Sequence, residues 1–124
     1  MTATRTSSAE RRALTEAASG HTCAVEGALA VVGAKWTLLI LHHLMDGPKR
    51  FGELHRLIPA ASPKMLTARL RALEQLGLVT RSAYAEIPPR VDYELTDAGR
   101  GLQPIVDSLA KWGQRLRPAQ RRAS

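Results

Sequence analysis

Between Ser62 and Val79 the chain reads SPKMLTARLRALEQLGLV, and two kinds of side chain recur in it at helical spacing. On a helix, Leu66, Leu70 and Leu73 fall within about 60° of one another, and Lys64, Thr67, Ala68, Arg71 and Gln75 within about 100° on the opposite side. Lysine and arginine neutralise phosphates, threonine and arginine have donors that reach base edges, and alanine lets a helix come close or meet a thymine methyl. Ser62 is a good N-cap, and Pro63 suits the first helical position, where its missing N–H costs nothing. No acid appears on this helix before Glu74. Its N-terminal end therefore offers free backbone N–H groups and a positive dipole end beside Ser62, Pro63 and Lys64, a place suited to phosphate. A charged outer face is usually just solvated; the missing acids are what favour an anionic partner here. Arg69 sits near the apolar edge and reads as a snorkelling side chain.

Other reactive residues are few. Cys23 is the one cysteine, so no disulfide can form within the chain, and zinc-finger spacing is absent. It lies just before a predicted helix, where the dipole favours thiolate, although Glu26 opposes that. A small buried hydrophobe is the competing reading of Cys23. His42 and His43 are adjacent and point in different directions on a helix, and neither has a partner at ligand spacing, so no metal site is expected. No nucleophile motif, phosphate loop or paired-carboxylate constellation stands out. The expectation is a protein that is not an enzyme and needs no cofactor.

The charge is unevenly placed. The 124 residues carry a net +7. Between Lys49 and Arg71 six basic residues face Glu53 alone, and from Lys111 onward five bases meet no acid, whereas residues 72–110 hold six acids and three bases. A basic block beside a mildly acidic body suits a localised polyanion-binding surface. Aromatics are scarce at 4%, which disfavours stacking on unpaired bases. No apolar run approaches the roughly 18 residues of a membrane span, and no signal-peptide pattern is visible, so a cytoplasmic, nucleoid-associated protein is expected.

These side chains need elements to hold them. Residues 1–20 read as a flexible N-terminal arm or a weak helix, 21–116 as the folded domain, and 117–124 as a basic tail. A short helix is expected from Cys23 to Val32, ended by Gly33. "KWTLLILHHLM" (Lys35–Met45) is apolar nearly all round and predicts a buried central helix, stopped at Asp46-Gly47-Pro48. A very short strand at Lys49–Phe51 precedes "GELHRLI", a two-turn helix with Leu54, Leu57 and Ile58 inward. Pro59-Ala60-Ala61 then makes a tight turn into the helix at Ser62. After Gly77 the period changes from helical to alternating: "LVTRSAY" and "VDYEL" predict two strands around the tip "AEIPPR". Thr96 can cap a last helix with the stripe Leu102, Ile105, Val106, Leu109, Trp112 and Leu116, in which Pro104 marks a kink or the true start. The expected fold is mainly α with a small β-hairpin wing, a winged helix-turn-helix. Lys49 and Arg50, with His55, would contact phosphates at its rim. Arg90 at the hairpin tip fits a wing contact or plain solvation, and Arg81 is a weaker candidate.

GAKWTLLIL, RFGELHRLIP, SPKMLTARLRALE, GLVTR and YAEIPPRVDYELT together make the stretch from Cys23 to Gly113 resemble the HxlR-type winged helix-turn-helix regulators of bacteria. The family pattern has proline after the cysteine, where this chain has Ala24. The resemblance implies a homodimeric transcription factor on double-stranded operator DNA, often a repressor. It implies a recognition helix over Ser62–Gln75 and a wing over Leu78–Leu95. Cys23 stands where several members keep a redox-sensing thiol, which makes it a candidate sensor of oxidants or electrophiles. Pairing also follows from physics, since one helix reads only a few base pairs and two copies a DNA turn apart read a palindrome. Val25, Leu29 and Val32 on the first helix, with Ile105, Leu109, Trp112 and Leu116 on the last, could supply the dimer surface, Trp112 being open to a core reading as well. Two alternatives stay open: a winged-helix module that binds protein or RNA, and a regulator gated by a small ligand at the dimer interface.

Overall fold

The computed structural model describes residues 8–21 and 23–117. In chain order these form α1 (Ser8–Ala18), α2 (Ala24–Val32), α3 (Thr37–Leu44), β1 (Lys49–Arg50), α4 (Phe51–Leu57), α5 (Pro63–Gln75), β2 (Val79–Tyr84), β3 (Arg90–Leu95), α6 (Asp97–Arg100) and α7 (Gln103–Arg115). Three antiparallel strands in the order β1-β3-β2 make the wing. β3 pairs with β1 at Lys49↔Tyr93 and with β2 from Val79↔Leu95 to Tyr84↔Arg90. The molecule is a winged helix-turn-helix, as the periodicities predict. No single helix among the described residues is long and apolar enough to cross a membrane.

Local chemistry explains most boundaries. Ser8–Ala18 is a helix packed on α2, the second of the two readings of the N-terminal residues; Ala, Glu, Arg and Leu dominate it and all favour helix. Residues 1–7 and the tail from 118 to 124 lie outside the described residues. The central helix begins at Thr37, two residues later than expected, because Trp36 takes a left-handed conformation at its N-cap (φ 76°). Pro104 proves to be the start of a separate helix: Thr96 caps the single turn of α6, and α7 follows with proline in its first turn.

The core is built from Ile40, Leu41 and Leu44 of α3, Leu54 and Ile58 around α4, Leu66, Leu70 and Leu73 of α5, and Leu78, Val79 and Leu95 of the wing base. Each such side chain contributes about 1.5–3 kcal/mol by leaving water. Two expectations of burial need correction. Leu57 is 45% exposed, at the rim of a cleft shared by His42, His43, Gln103 and Asp107. The central helix is not buried all round, since Leu39 is 38% exposed and His42 is exposed. That side of α3 faces α7 across a shallow apolar depression, which Val106 and Leu109 only partly fill.

A joint between α5, the wing and α6 is held by one hydroxyl. Thr96, fully buried, donates from Oγ1 to the Gly77 carbonyl at 2.6 Å and accepts from the Gly99 N–H at 3.1 Å. Gly77 turns the chain out of α5 with φ +75°, a conformation that favours glycine. Gly99 packs so tightly on the Leu78 carbonyl that any side chain there would collide with backbone.

Candidate nucleic-acid interface

The two helices of the helix-turn-helix are set by their turn. Ile58 N–H closes α4 onto Leu54 O, Ala61 N–H bonds Ile58 O, and Ala61 is itself buried, so the turn is pinned from inside. Ser62 Oγ then accepts from Met65 N–H at 3.1 Å, and Pro63 occupies the first turn of α5. With Leu66, Leu70 and Leu73 buried, the rotation of α5 is fixed and its opposite side is turned out.

That outward side carries Lys64, Ala68, Arg71 and Gln75, all exposed, with Ser62 and Pro63 exposed at its N-terminal end. Thr67 lies at the edge, half-buried, and Met65 is exposed on the other flank. Among the described residues neither Lys64 nor Arg71 makes an ion pair. Two cations without acid partners, on a helix whose first turn has no acidic residue, leave the surface free to meet phosphate. Arg69 is half-buried as its position predicts, and its Nε is shielded from solvent without a hydrogen-bond partner among the described residues.

The rim and wing cations divide into free and engaged. Arg50 is exposed; its backbone N–H is held by Glu53 Oε1 at 2.8 Å, which leaves the guanidinium available. Lys49 is largely covered and bonded to Asp46 Oδ1 at 2.7 Å. That bond and the lysine's charge hold the Asp46 carboxyl below its usual range. Arg90, expected at the tip, sits at the neck of the hairpin. Glu86 lies 3.4 Å and Asp92 3.5 Å from it, and the guanidinium stacks on Tyr84 at 4.2 Å from the ring centre. Arg81 is exposed on β2, and His55 is half-buried. Arg56 is a further exposed cation in the last turn of α4; position in a last turn favours cations but does not single it out for a ligand.

On the other side of the fold, Val25, Leu29, Ile105, Leu109, Trp112 and Leu116 are all exposed. Val32 is not among them: at 8% exposure it belongs to the core, because the last turn of α2 dips toward α3. Trp112 is likewise a surface residue in the protomer. A groove of about 670 Å³ runs between α1, α2 and the start of α7, lined by Leu14, Val25, Leu29, Leu102 and Ile105 among others. Cys23 is exposed at the N-cap of α2, with its Sγ accepting the Glu26 N–H at 3.4 Å. His43 is pulled below its ordinary value, chiefly by burial and then by the charges of His42 and Lys49. Among the described residues no cluster of His, Cys, Asp and Glu could hold a metal ion.

Known proteins share this arrangement. The model of the HxlR-like helix-turn-helix family matches residues 31–121. YybR, an uncharacterised HTH-type transcriptional regulator of Bacillus subtilis (strain 168), is 46% identical over 92 residues, 74% of each chain. The HTH-type transcriptional regulator YodB of the same organism is 43% identical over 92 residues, 74% of this chain and 82% of its own. Among solved structures, the redox regulator HypR in its oxidised form superposes with a TM-score of 0.74 at 44% identity, covering 78% of this chain and 100% of that one. Quinone-bound YodB superposes at 0.62 with 40% identity, over 73% of this chain and 96% of its own.

Proposed function

The chain belongs to the HxlR-like helix-turn-helix family and is a DNA-binding transcriptional regulator, not an enzyme; from that premise we propose that it represses as a homodimer seated on a palindromic operator. One α5 enters each of two major grooves a DNA turn apart. Lys64, with Ser62 and Pro63 at the helix start, holds phosphate. Thr67, Ala68 and Arg71 meet base edges, with Arg71 the partner for guanine. Arg50 and, from its less free position, Lys49 steady the rim. The observation that carries this reading is the unpaired cationic face of α5 turned out over a buried leucine stripe. Occupying the duplex is itself the means of repression, and working on chromosomal DNA places the protein in the cytoplasm at the nucleoid.

The partner copy covers the exposed apolar residues of α2 and α7, namely Val25, Leu29, Ile105, Leu109, Trp112 and Leu116. An uncovered stripe of this kind on a charged protein is what a self-complementary interface supplies. Cys23 is the sensor. Its thiol is exposed on the same helix that carries Val25 and Leu29, so alkylation by a quinone, or loss of two hydrogens from a pair of thiols to diamide, adds bulk or a bond beside the subunit contact. HypR's name as a redox regulator and the quinone-bound form of YodB support this reading.

A gel shift with the DNA upstream of the chain's own coding sequence tests the proposal. Wild type should retard it, and Lys64→Ala and Arg71→Ala should not, with unchanged thermal melts. Intact binding by both variants removes the assignment of α5. Cys23→Ser should keep its grip on DNA under diamide where wild type changes affinity; identical responses remove the sensor.

A further inference from the structure

Of the two hairpin strands, only β3 is paired on both sides; β2 is the free edge, and from Arg81 to Tyr84 it is exposed throughout. The hairpin therefore projects from the body, and its tip, Ala85–Pro89, is exposed at every residue. The arginine at the neck of this projection is engaged internally. Arg90 is bracketed by Glu86 and Asp92 and stacked on Tyr84, and Glu94 lies 3.7 Å from Arg100. The large apolar side chain at the tip is Ile87, 102% exposed, preceded by Glu86 and followed by Pro88 and Pro89. A wing that met the duplex by charge would present a free cation at its end. This one presents an apolar knob on a neck whose arginine is held between two carboxylates, with Arg81 the one cation of the β2–β3 hairpin among the described residues that has no carboxylate partner.

We infer that Ile87 is the wing's contact with DNA: an apolar wedge set against the deoxyribose walls and base edges of the minor groove beside the α5 site. Arg90 is a positioning residue that holds the tip and touches no phosphate. β2 packs directly on α5, so the hairpin is a neighbour of the helix that bears Lys64 and Arg71. Minor-groove walls are hydrocarbon, and isoleucine and proline are among the side chains that proteins press into them. Arg81, lower on the outer strand, is placed to hold a flanking phosphate. This inference rests on the DNA-binding reading above and adds which wing residue makes the contact.

The test uses the full chain and a short duplex selected by the wild-type protein from a random-sequence library. Ile87→Gln, which adds no charge, should bind that duplex about tenfold more weakly, the order expected when one apolar side chain loses its burial. The slope of log affinity against log salt should not change, because an apolar contact releases no counterions. Hydroxyl-radical protection of the sugars flanking the α5 site should vanish while central protection stays. Ile87→Val should restore both affinity and protection. Since Ile87 touches solvent on all sides, these variants leave the fold alone, and matching melts check that. Arg81→Ala should flatten the salt slope instead. Wild-type affinity and flanking protection in Ile87→Gln would overturn the inference. So would a loss that tracks subunit dissociation in sedimentation, which would give the tip to a second copy. Should wild type select no duplex at all, the DNA reading itself falls, a failure distinct from one confined to Ile87.

Discussion

Helices α5 and α7 are both thirteen residues long, and both begin with proline in the first turn. Each carries a stripe of large apolar residues at helical spacing. In α5 the stripe, Leu66, Leu70 and Leu73, is consumed inside the protomer, and cations face out. In α7 only Val106 is buried, while Ile105, Leu109, Trp112 and Leu116 stay in water. The same pattern thus has two meanings, and which one applies depends on what the rest of the chain packs beneath it. A helix whose apolar side is already satisfied can offer its polar side to a ligand. One whose apolar side is open needs another surface.

Substitution at matching places should break or sharpen that contrast. Leu70→Ala should cost the fold about 2–5 kcal/mol in urea denaturation, as large-to-small changes in packed cores do. Leu109→Ala should cost the protomer roughly 1 kcal/mol or less, being at an exposed position; unfolding followed at several concentrations separates this from linked association. Equal losses at the two sites would erase the distinction. Next in size, Trp112→Ala should weaken self-association by about 2 kcal/mol, read by sedimentation equilibrium, since buried tryptophans dominate interfaces; an unchanged dimer would move the contact off α7. On α5, Arg71→Ala should cost about 1–3 kcal/mol of DNA affinity and relax the preference at one base pair, whereas Lys64→Ala should weaken all duplexes alike and lower the salt slope by about 1.

The smallest effect expected is on pH dependence. Folding holds His43 below its ordinary 6.5, so the fold resists its protonation. The corresponding stability is complete above that pH and is lost as pH falls below it. His43→Gln should make the decline of Tm with acidification shallower than in wild type, and parallel curves would refute this. Asp46, also lowered, acts in a more acidic window: its share is present above its ordinary 3.8 and is lost as pH falls further.

Local signals carried the reading of α5 from sequence. Ser62, Pro63, Gly77 and the leucine spacing act over one to four residues, and no distant contact overrides them. The places that departed from expectation all depend on contacts across space. Leu57 shares the helical phase of Leu54 and Ile58, but α7 does not close over it. Val32 looks like one more residue of an apolar face until α3 folds beneath it. Trp36 fits the helical pattern of its neighbours, yet the corner between α2 and α3 needs it left-handed. The free or engaged state of Arg90 could not be read at all, because Tyr84, Glu86 and Asp92 converge on it only once the hairpin forms.

The hydroxyl of Thr96 joins the exit of α5 to the turn that launches α7. One oxygen atom thus fastens the end of one helix to the start of another across nineteen residues of chain. Thr96→Val, similar in bulk, would keep that space filled yet leave the Gly77 carbonyl and the Gly99 N–H without this partner.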